Sequence, residues 1–258
     1  MKKPSLALAV IIIILFLHAC NDNSFSQGNQ TGPLLFIGGG ALPESMYGEF
    51  IKLTDPDAKL IVIPTASGGD INVDEIIEKW HSRGFKTVEV LHTRDRNISM
   101  SPEFSETLKS ARTVWISGGS QQRIADAYLG TPVENELYKL IDRGGLIGGS
   151  SAGAAIQTRL MIRGGDTLPE ISRGFDLMKG AIVDQHFLKR NRLSRLISAV
   201  RFYPDLIGYG IDEGSAIVCY DNEYRIIGES YVLRVQIKNG VIEMDAFKDG
   251  DIIPIDYN

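Results

Sequence analysis

Two cysteines, Cys20 and Cys219, are all that the 258 residues contain. That excludes a disulfide framework and a zinc site built from thiolates. Histidine is nearly as scarce. The four, at positions 18, 81, 92 and 186, are the whole supply of imidazole bases. Basic charge is not in surplus either: 27 Lys and Arg stand against 32 Asp and Glu, a formal net charge of −5. That is the wrong sign for a nucleic-acid-binding surface. Complete phosphate-binding signatures are missing. No G-x-x-x-x-G-K-S/T stretch occurs, and Gly38-Gly39-Gly40 fails the G-x-G-x-x-G spacing because Pro43 stands where the third glycine belongs. A nucleotide role is therefore set aside. The longest apolar run, Leu6 to Leu17, falls short of the roughly 20 residues that a bilayer-spanning helix needs.

That apolar run has its own meaning. It follows the basic start Met1-Lys2-Lys3 and ends in Leu17-His18-Ala19-Cys20, which is the layout of an export signal. The ending resembles a bacterial lipoprotein signal, which implies lipidation of Cys20 and anchoring in the cell envelope, at the periplasmic or outer-membrane face. Residues 1–19 are then a signal peptide. Residues 20–32, polar and rich in Asn, Ser and Gln, read as a flexible tether, and residues 33–258 form the folded domain. With Cys20 lipidated, Cys219 has no disulfide partner in the chain. It lies in the apolar stretch Ala216–Tyr220 and reads as a buried structural thiol.

Short strand patterns recur along the domain at 34–37, 60–63, 87–91, 113–116 and 146–147, the first two of them continuous apolar runs stopped by Gly38 and Pro64. Runs of this kind suit strands buried on both faces. Helical patterns stand between them. Val73, Ile76, Ile77 and Trp80 form an apolar stripe, with Asp70 as its expected cap and Gly84 as its stop. Ser101-Pro102 is a helix start, and residues 121–129 and 133–141 read as helices. The alternation predicts an α/β fold with a mostly parallel sheet and helices on both faces. Residues 231–236 and 241–247, joined by Lys238-Asn239-Gly240, predict an antiparallel C-terminal extension.

Three glycine-rich segments end strands: Gly38-Gly39-Gly40, Gly118-Gly119 and Gly148-Gly149. Ligands of open α/β sheets bind outside the carboxyl ends of the strands. The last segment runs into Gly149-Ser150-Ser151-Ala152-Gly153, a G-x-S-x-G pattern that in a strand-turn-helix context holds a nucleophilic serine. A serine hydroxyl needs a base. His81 lies at a helix end, where it solvates or caps, and His92 lies in a loop after a strand. His186 follows the apolar run Ile182-Val183 with Asp184 and Gln185 before it, which suits a site. The orienting carboxylate is open among Asp184, Asp212 and Glu213. A basic run follows, in which Arg192 and Arg195 share a helix face. One arginine turned inward would clamp a carboxylate.

Four blocks, GGSSAGAA, WISGGSQQR, DQHF with RNRLSRL, and GYGIDEGSA, together resemble the cyanophycinases and their relatives in the S51 serine peptidases, a family that includes aspartyl dipeptidases. The resemblance implies a three-layer α/β/α sandwich like the class I glutamine amidotransferases. It puts the nucleophile on Ser151, the base on His186 and the acid on Glu213. It puts the oxyanion hole on the Ala152 N–H with Gly39 and Gly40, and substrate binding on Gln121, Asp184, Gln185 and Arg195. It implies a β-aspartyl-arginine polymer or peptide as substrate, no metal or other cofactor, and a homodimer. The alternatives are an α-aspartyl dipeptidase, in which Asp is the commoner orienting acid, and an inactive envelope binding protein. The chain departs from the cyanophycinase pattern at Ser120, Ser150 and Ser194, where that branch carries Asp, Thr and Gly.

Overall fold

A computed structural model describes residues 32–221 and 223–254. The expected signal, Cys20 and most of the tether lie outside the described residues. In chain order the elements are β1 (Leu34–Ile37), α1 (Glu44–Lys52), β2 (Leu60–Ile63), α2 (Val73–His81), β3 (Val88–Val90) and α3 (Arg96–Ser99). A 3-10 turn over Pro102–Ser105 leads into α4 (Glu106–Ser110), β4 (Thr113–Ile116), α5 (Gln121–Tyr128), α6 (Pro132–Asp142), β5 (Leu146–Ser150) and α7 (Ala152–Ala155). Then come β6 (Leu160–Gly164), β7 (Glu170–Arg173), β8 (Ala181–Gln185), α8 (Leu193–Phe202) and β9 (Ile207–Ile211). The chain closes with β10 (Ser215–Tyr220), β11 (Glu223–Gly228), β12 (Val232–Lys238), β13 (Val241–Phe247) and β14 (Ile252–Pro254).

The main sheet has eight strands in the order β14-β11-β10-β1-β5-β4-β2-β3. From β1 to β3 every pairing is parallel, while β10, β11 and β14 add antiparallel strands on the other side. Both faces are covered, and this is why the strands read as unbroken apolar runs. Leu34, Phe36, Ile61 and Ile63 point into one core with α5 and α6. Leu35, Ile37, Leu60 and Val62 point into the other with α1 and α2. The second core is aromatic: Tyr47, Phe50, Trp80, Phe85 and Trp115 meet at centroid distances of 5.0–6.2 Å. Gly148 is required under it, since a Cβ there would stand 2.6 Å from the Phe50 ring. Losing a buried ring from such a cluster typically costs about 3–5 kcal/mol.

The antiparallel part is more divided than the sequence suggests. β12 and β13 do not extend the main sheet. They join β9 and β8 in a second sheet, order β13-β12-β9-β8, in which β8 and β9 are parallel. Val183, Tyr209 and Ile211 of this sheet share the core of the main sheet's first face, and Ile182 and Val235 pack on Leu196, Ala199 and Val200 of α8. Two further details differ. α2 is capped by Asn72, whose side chain accepts from the Glu75 N–H, rather than by Asp70. α1 has no counterpart among the sequence patterns, because Pro43 replaces a polar cap and Gly48 interrupts the stripe. Cys219 is buried in β10, as expected.

Candidate active site

The three glycine-rich segments meet as the sequence predicts. β1, β5 and β4 are neighbours in the sheet, so Gly38-Gly39-Gly40, Ser150-Ser151 and Ser117-Gly118-Gly119 leave adjacent carboxyl ends. Ser151 sits between β5 and α7 at φ 53°, ψ −109°, a region that side-chain-bearing residues rarely occupy. Its N–H donates to the Ile37 carbonyl at 2.9 Å, which ties the turn to β1. The small residues around it are there for space. A Cβ on Gly149 would stand 2.2 Å from the Gly153 carbonyl oxygen, and one on Gly153 would stand 2.0 Å from that of Ile116. Only bare backbone lets the strand turn so sharply into the helix.

His186 follows the last residue of β8 and also has a positive φ, 52°. Its N–H donates to the Gly38 carbonyl at 2.8 Å. Its Nε2 lies 2.8 Å from Ser151 Oγ, and its Nδ1 lies 2.6 Å from Glu213 Oε1. With Nδ1–H donating to the carboxylate, Nε2 is left to accept from the serine hydroxyl. Gly39 and Gly40 make room for this line. A Cβ on Gly39 would fall 2.6 Å from His186 Nε2, and one on Gly40 2.8 Å from Glu213 Oε2. Among the described residues the N–H groups of Ala152, Gly39 and Gly40 have no hydrogen-bond acceptor. Burial pushes the imidazole below its ordinary value. Glu213 opposes this, and the positive charges of Arg190 and Arg192 add to it.

The three carboxylates left open by the sequence have separate places. Glu213 meets the imidazole. Asp212 fastens the crossing between the sheets: it accepts from the Lys189 N–H at 2.9 Å and from the Ser230 hydroxyl at 2.8 Å. Asp184 is fully buried against Arg195, whose Nε donates to it at 2.9 Å, and Arg192 lies beside the pair at 3.4 Å. Burial pushes the Asp184 carboxyl up, and the two guanidinium groups pull it back. Arg192 and Arg195 thus share a face, as their spacing predicts, and both turn inward onto Asp184.

Of the other histidines, His81 and His92 are structural, and His18 lies outside the described residues. His81 Nδ1 lies 2.7 Å from the Phe85 carbonyl at the end of α2, and His92 Nδ1 lies 3.0 Å from Thr65 Oγ1.

A cavity of about 650 Å³ opens beside Ser151 and His186. Gly118 and Gly119 line it close to the serine, and Tyr47, Lys79, Arg83 and Trp115 line it further out. Gln121, Asp184, Gln185 and Arg195, the expected substrate-binding residues, do not line it. Gln121 Nε2 donates to the Ile162 carbonyl at 2.6 Å, and Arg195 Nη1 to the Gly165 carbonyl at 2.6 Å. With its other nitrogens on Asp184, the Arg195 guanidinium is engaged internally rather than presented to a ligand. Gln185 differs: its Oε1 is a buried acceptor without a donor among the described residues. The outer wall of the cavity was not foreseen. Tyr47 sits on α1, Lys79 and Arg83 on the polar side of α2 and just past its end, and Trp115 on β4; for the two charged residues a solvated helix face is the ordinary reading of the sequence.

An open α/β sheet that places a serine on a strand-to-helix turn, in line with a histidine and a carboxylate, has the layout of serine-dependent hydrolases. The family model of peptidase family S51 matches residues 34–227, and the chain belongs to that family of serine-type peptidases. Among curated relatives, a cyanophycinase of Geminocystis herdmanii is 32% identical over 186 residues, covering 68% of each chain. A cyanophycinase of Nostoc sp. is 34% identical over 185 residues, covering 68% of this chain and 62% of its own length. The crystal structure of a peptidase from an acI-B1 Actinobacterium superposes with a TM-score of 0.66 at 26% identity, covering 88% of this chain and 98% of that one.

Proposed function

We propose that the protein is a cyanophycinase-like serine peptidase that hydrolyses aspartyl-linked amides of a β-aspartyl-arginine polymer or peptide. The observation that carries this reading is the line Ser151 Oγ–His186 Nε2–Glu213 Oε1, at 2.8 and 2.6 Å, set on two positive-φ residues. Ser151 Oγ attacks the amide carbonyl while Nε2 takes its proton. Glu213 holds the tautomer and stabilises the imidazolium. The carbonyl oxygen, now an oxyanion, receives the N–H groups of Ala152 and of Gly39 or Gly40, and preorganised donors of this kind contribute about 3–4 kcal/mol each. The imidazolium then protonates the leaving amine. Water, activated by the same imidazole, hydrolyses the aspartyl ester and restores Ser151. A glutamate rather than an aspartate as orienting acid favours the cyanophycinase branch over the α-aspartyl dipeptidases. The deciding assay compares insoluble cyanophycin with an α-aspartyl dipeptide. Cleavage of the dipeptide alone overturns the polymer reading.

The field around His186 makes a pH prediction. A base works when neutral, so the acid limb of kcat/KM lies below the usual histidine value of about 6.5. Arg190→Gln removes a positive charge that depresses the imidazole, so the limb moves to higher pH. Glu213→Gln removes the group that raises it, so the limb of the residual activity moves to lower pH. Limbs that move together, or not at all, would show that another group titrates.

We further propose that the mature domain is tethered to the cell envelope through a lipid on Cys20, with residues 20–32 as the spacer. The support is the sequence Leu17-His18-Ala19-Cys20 at the end of the apolar run. Among the described residues no helix is long and apolar enough to cross a membrane. Metabolic labelling with a radioactive fatty acid tests the anchor: label is expected on the wild-type chain and absent from Cys20→Ala. Equal labelling of the two removes the proposal.

A further inference from the structure

The cavity beside Ser151 is uneven in charge. Its outer wall carries Glu44, Lys79 and Arg83. Arg83 is engaged on every side. Its Nε and Nη2 donate to the Glu44 carboxylate at 3.3 and 2.7 Å, and its Nη1 donates to the Lys79 carbonyl at 3.2 Å. Its guanidinium carbon lies 3.7 Å from the centroid of the Tyr47 ring. Glu44 and Arg83 therefore cancel, and this pairing, with a smaller contribution from Lys79, holds the Glu44 carboxyl below its ordinary value. The Lys79 side chain makes no ion pair or hydrogen bond of its own among the described residues, and it is exposed to the cavity mouth. With the imidazole neutral, the outer wall presents one uncompensated positive charge in a chain whose formal net charge is −5.

We propose that Lys79 is a specificity-determining residue: it binds a free carboxylate on the part of an aspartyl peptide that lies across the outer cavity, against the wall that Tyr47 and Trp115 line. This rests on the reading of Ser151 as nucleophile. An ammonium on a flexible stem suits the task, because it follows a carboxylate whose position varies with the length of the substrate. The residues expected to recognise the aspartyl unit, Asp184 and Arg195, are closed on each other away from this cavity. The charge on its outer wall is thus a second determinant, separate from them.

The test uses the full-length protein and one β-aspartyl-arginine peptide in two forms, as free acid and as C-terminal amide. Wild type prefers the free acid. Lys79→Ala raises KM for the acid about fivefold, in the range of a partly exposed ion pair, and leaves KM for the amide and kcat for both unchanged. Lys79→Arg keeps the preference, and Lys79→Glu reverses it. Added salt raises KM for the acid in wild type but not in Lys79→Ala. Binding of both forms to Ser151→Ala is measured by calorimetry alongside. A preference that survives Lys79→Ala, with turnover still dependent on Ser151, overturns the role of Lys79 alone. Absence of Ser151-dependent turnover, with neither form bound by Ser151→Ala, overturns the functional reading and the Lys79 role with it.

Discussion

Ser151→Ala is expected to lower kcat on cyanophycin by about 10⁴–10⁶-fold, with KM nearly unchanged and the thermal midpoint within a degree or two of wild type. The reasoning separates chemistry from fold. The hydroxyl is the only group lost, and alanine accepts the φ of 53° about as well as serine does. The Ser151 N–H still bonds the Ile37 carbonyl. On the proposed mechanism the Ala152, Gly39 and Gly40 N–H groups remain to receive the carbonyl oxygen, so a residual rate above the uncatalysed one is expected. Glu213→Gln costs less, about 10²–10⁴-fold, because Nδ1 loses its ionised partner while the serine and the base remain. Polymer cleavage at the wild-type rate in Ser151→Ala removes the mechanism outright.

Asp184→Ala is expected to lower folding stability by about 3–5 kcal/mol, the usual result of leaving a buried charge without its partner. For a domain of this size that corresponds to a midpoint lower by roughly 6–20 °C. Arg195 stays 5% exposed with its Nε on nothing, and Arg192 loses the same acceptor. The paired variant Asp184→Leu with Arg195→Met removes both charges and should recover much of the loss. If Asp184→Ala keeps wild-type stability and only raises KM, the pair belongs to substrate recognition rather than to the scaffold. Thermal melts and steady-state kinetics on the same preparations distinguish the two.

The parallel half of the fold was legible because its strands are buried on both faces. Leu34–Ile37, Leu60–Ile63 and Thr113–Ile116 carry no polar alternation, and they stop at Gly38, at Pro64 and just before Gly118-Gly119. The G-x-S-x-G turn and the DQHF block named Ser151 and His186. Periodicity did not single out Glu213 from Asp184 and Asp212. Asp184 lies within β8 and Asp212 and Glu213 just past β9, and only their partners in the folded chain separate them. α1 escaped because it starts after a proline without a polar cap. Lys79 escaped because a lysine beside an apolar stripe reads as solvated unless a cavity is known to face it. The Asp184–Arg195 pair was legible as chemistry, and its closure on itself was not. An aspartate and an arginine at that spacing describe a clamp equally well whether they hold a ligand or each other.

The serine hangs from the main sheet, at the end of β5. The imidazole follows β8 of the second sheet, and Glu213 stands in the link from β9 of that sheet to β10 of the main one. Neither sheet holds a complete proton relay. Two backbone bonds, from the Ser151 N–H to Ile37 and from the His186 N–H to Gly38, moor both halves to the same end of β1. β1 therefore acts as a common datum, so that small breathing motions between the sheets move Ser151 and His186 together. On the proposed mechanism, heat should silence the enzyme when these two moorings loosen, before either sheet melts.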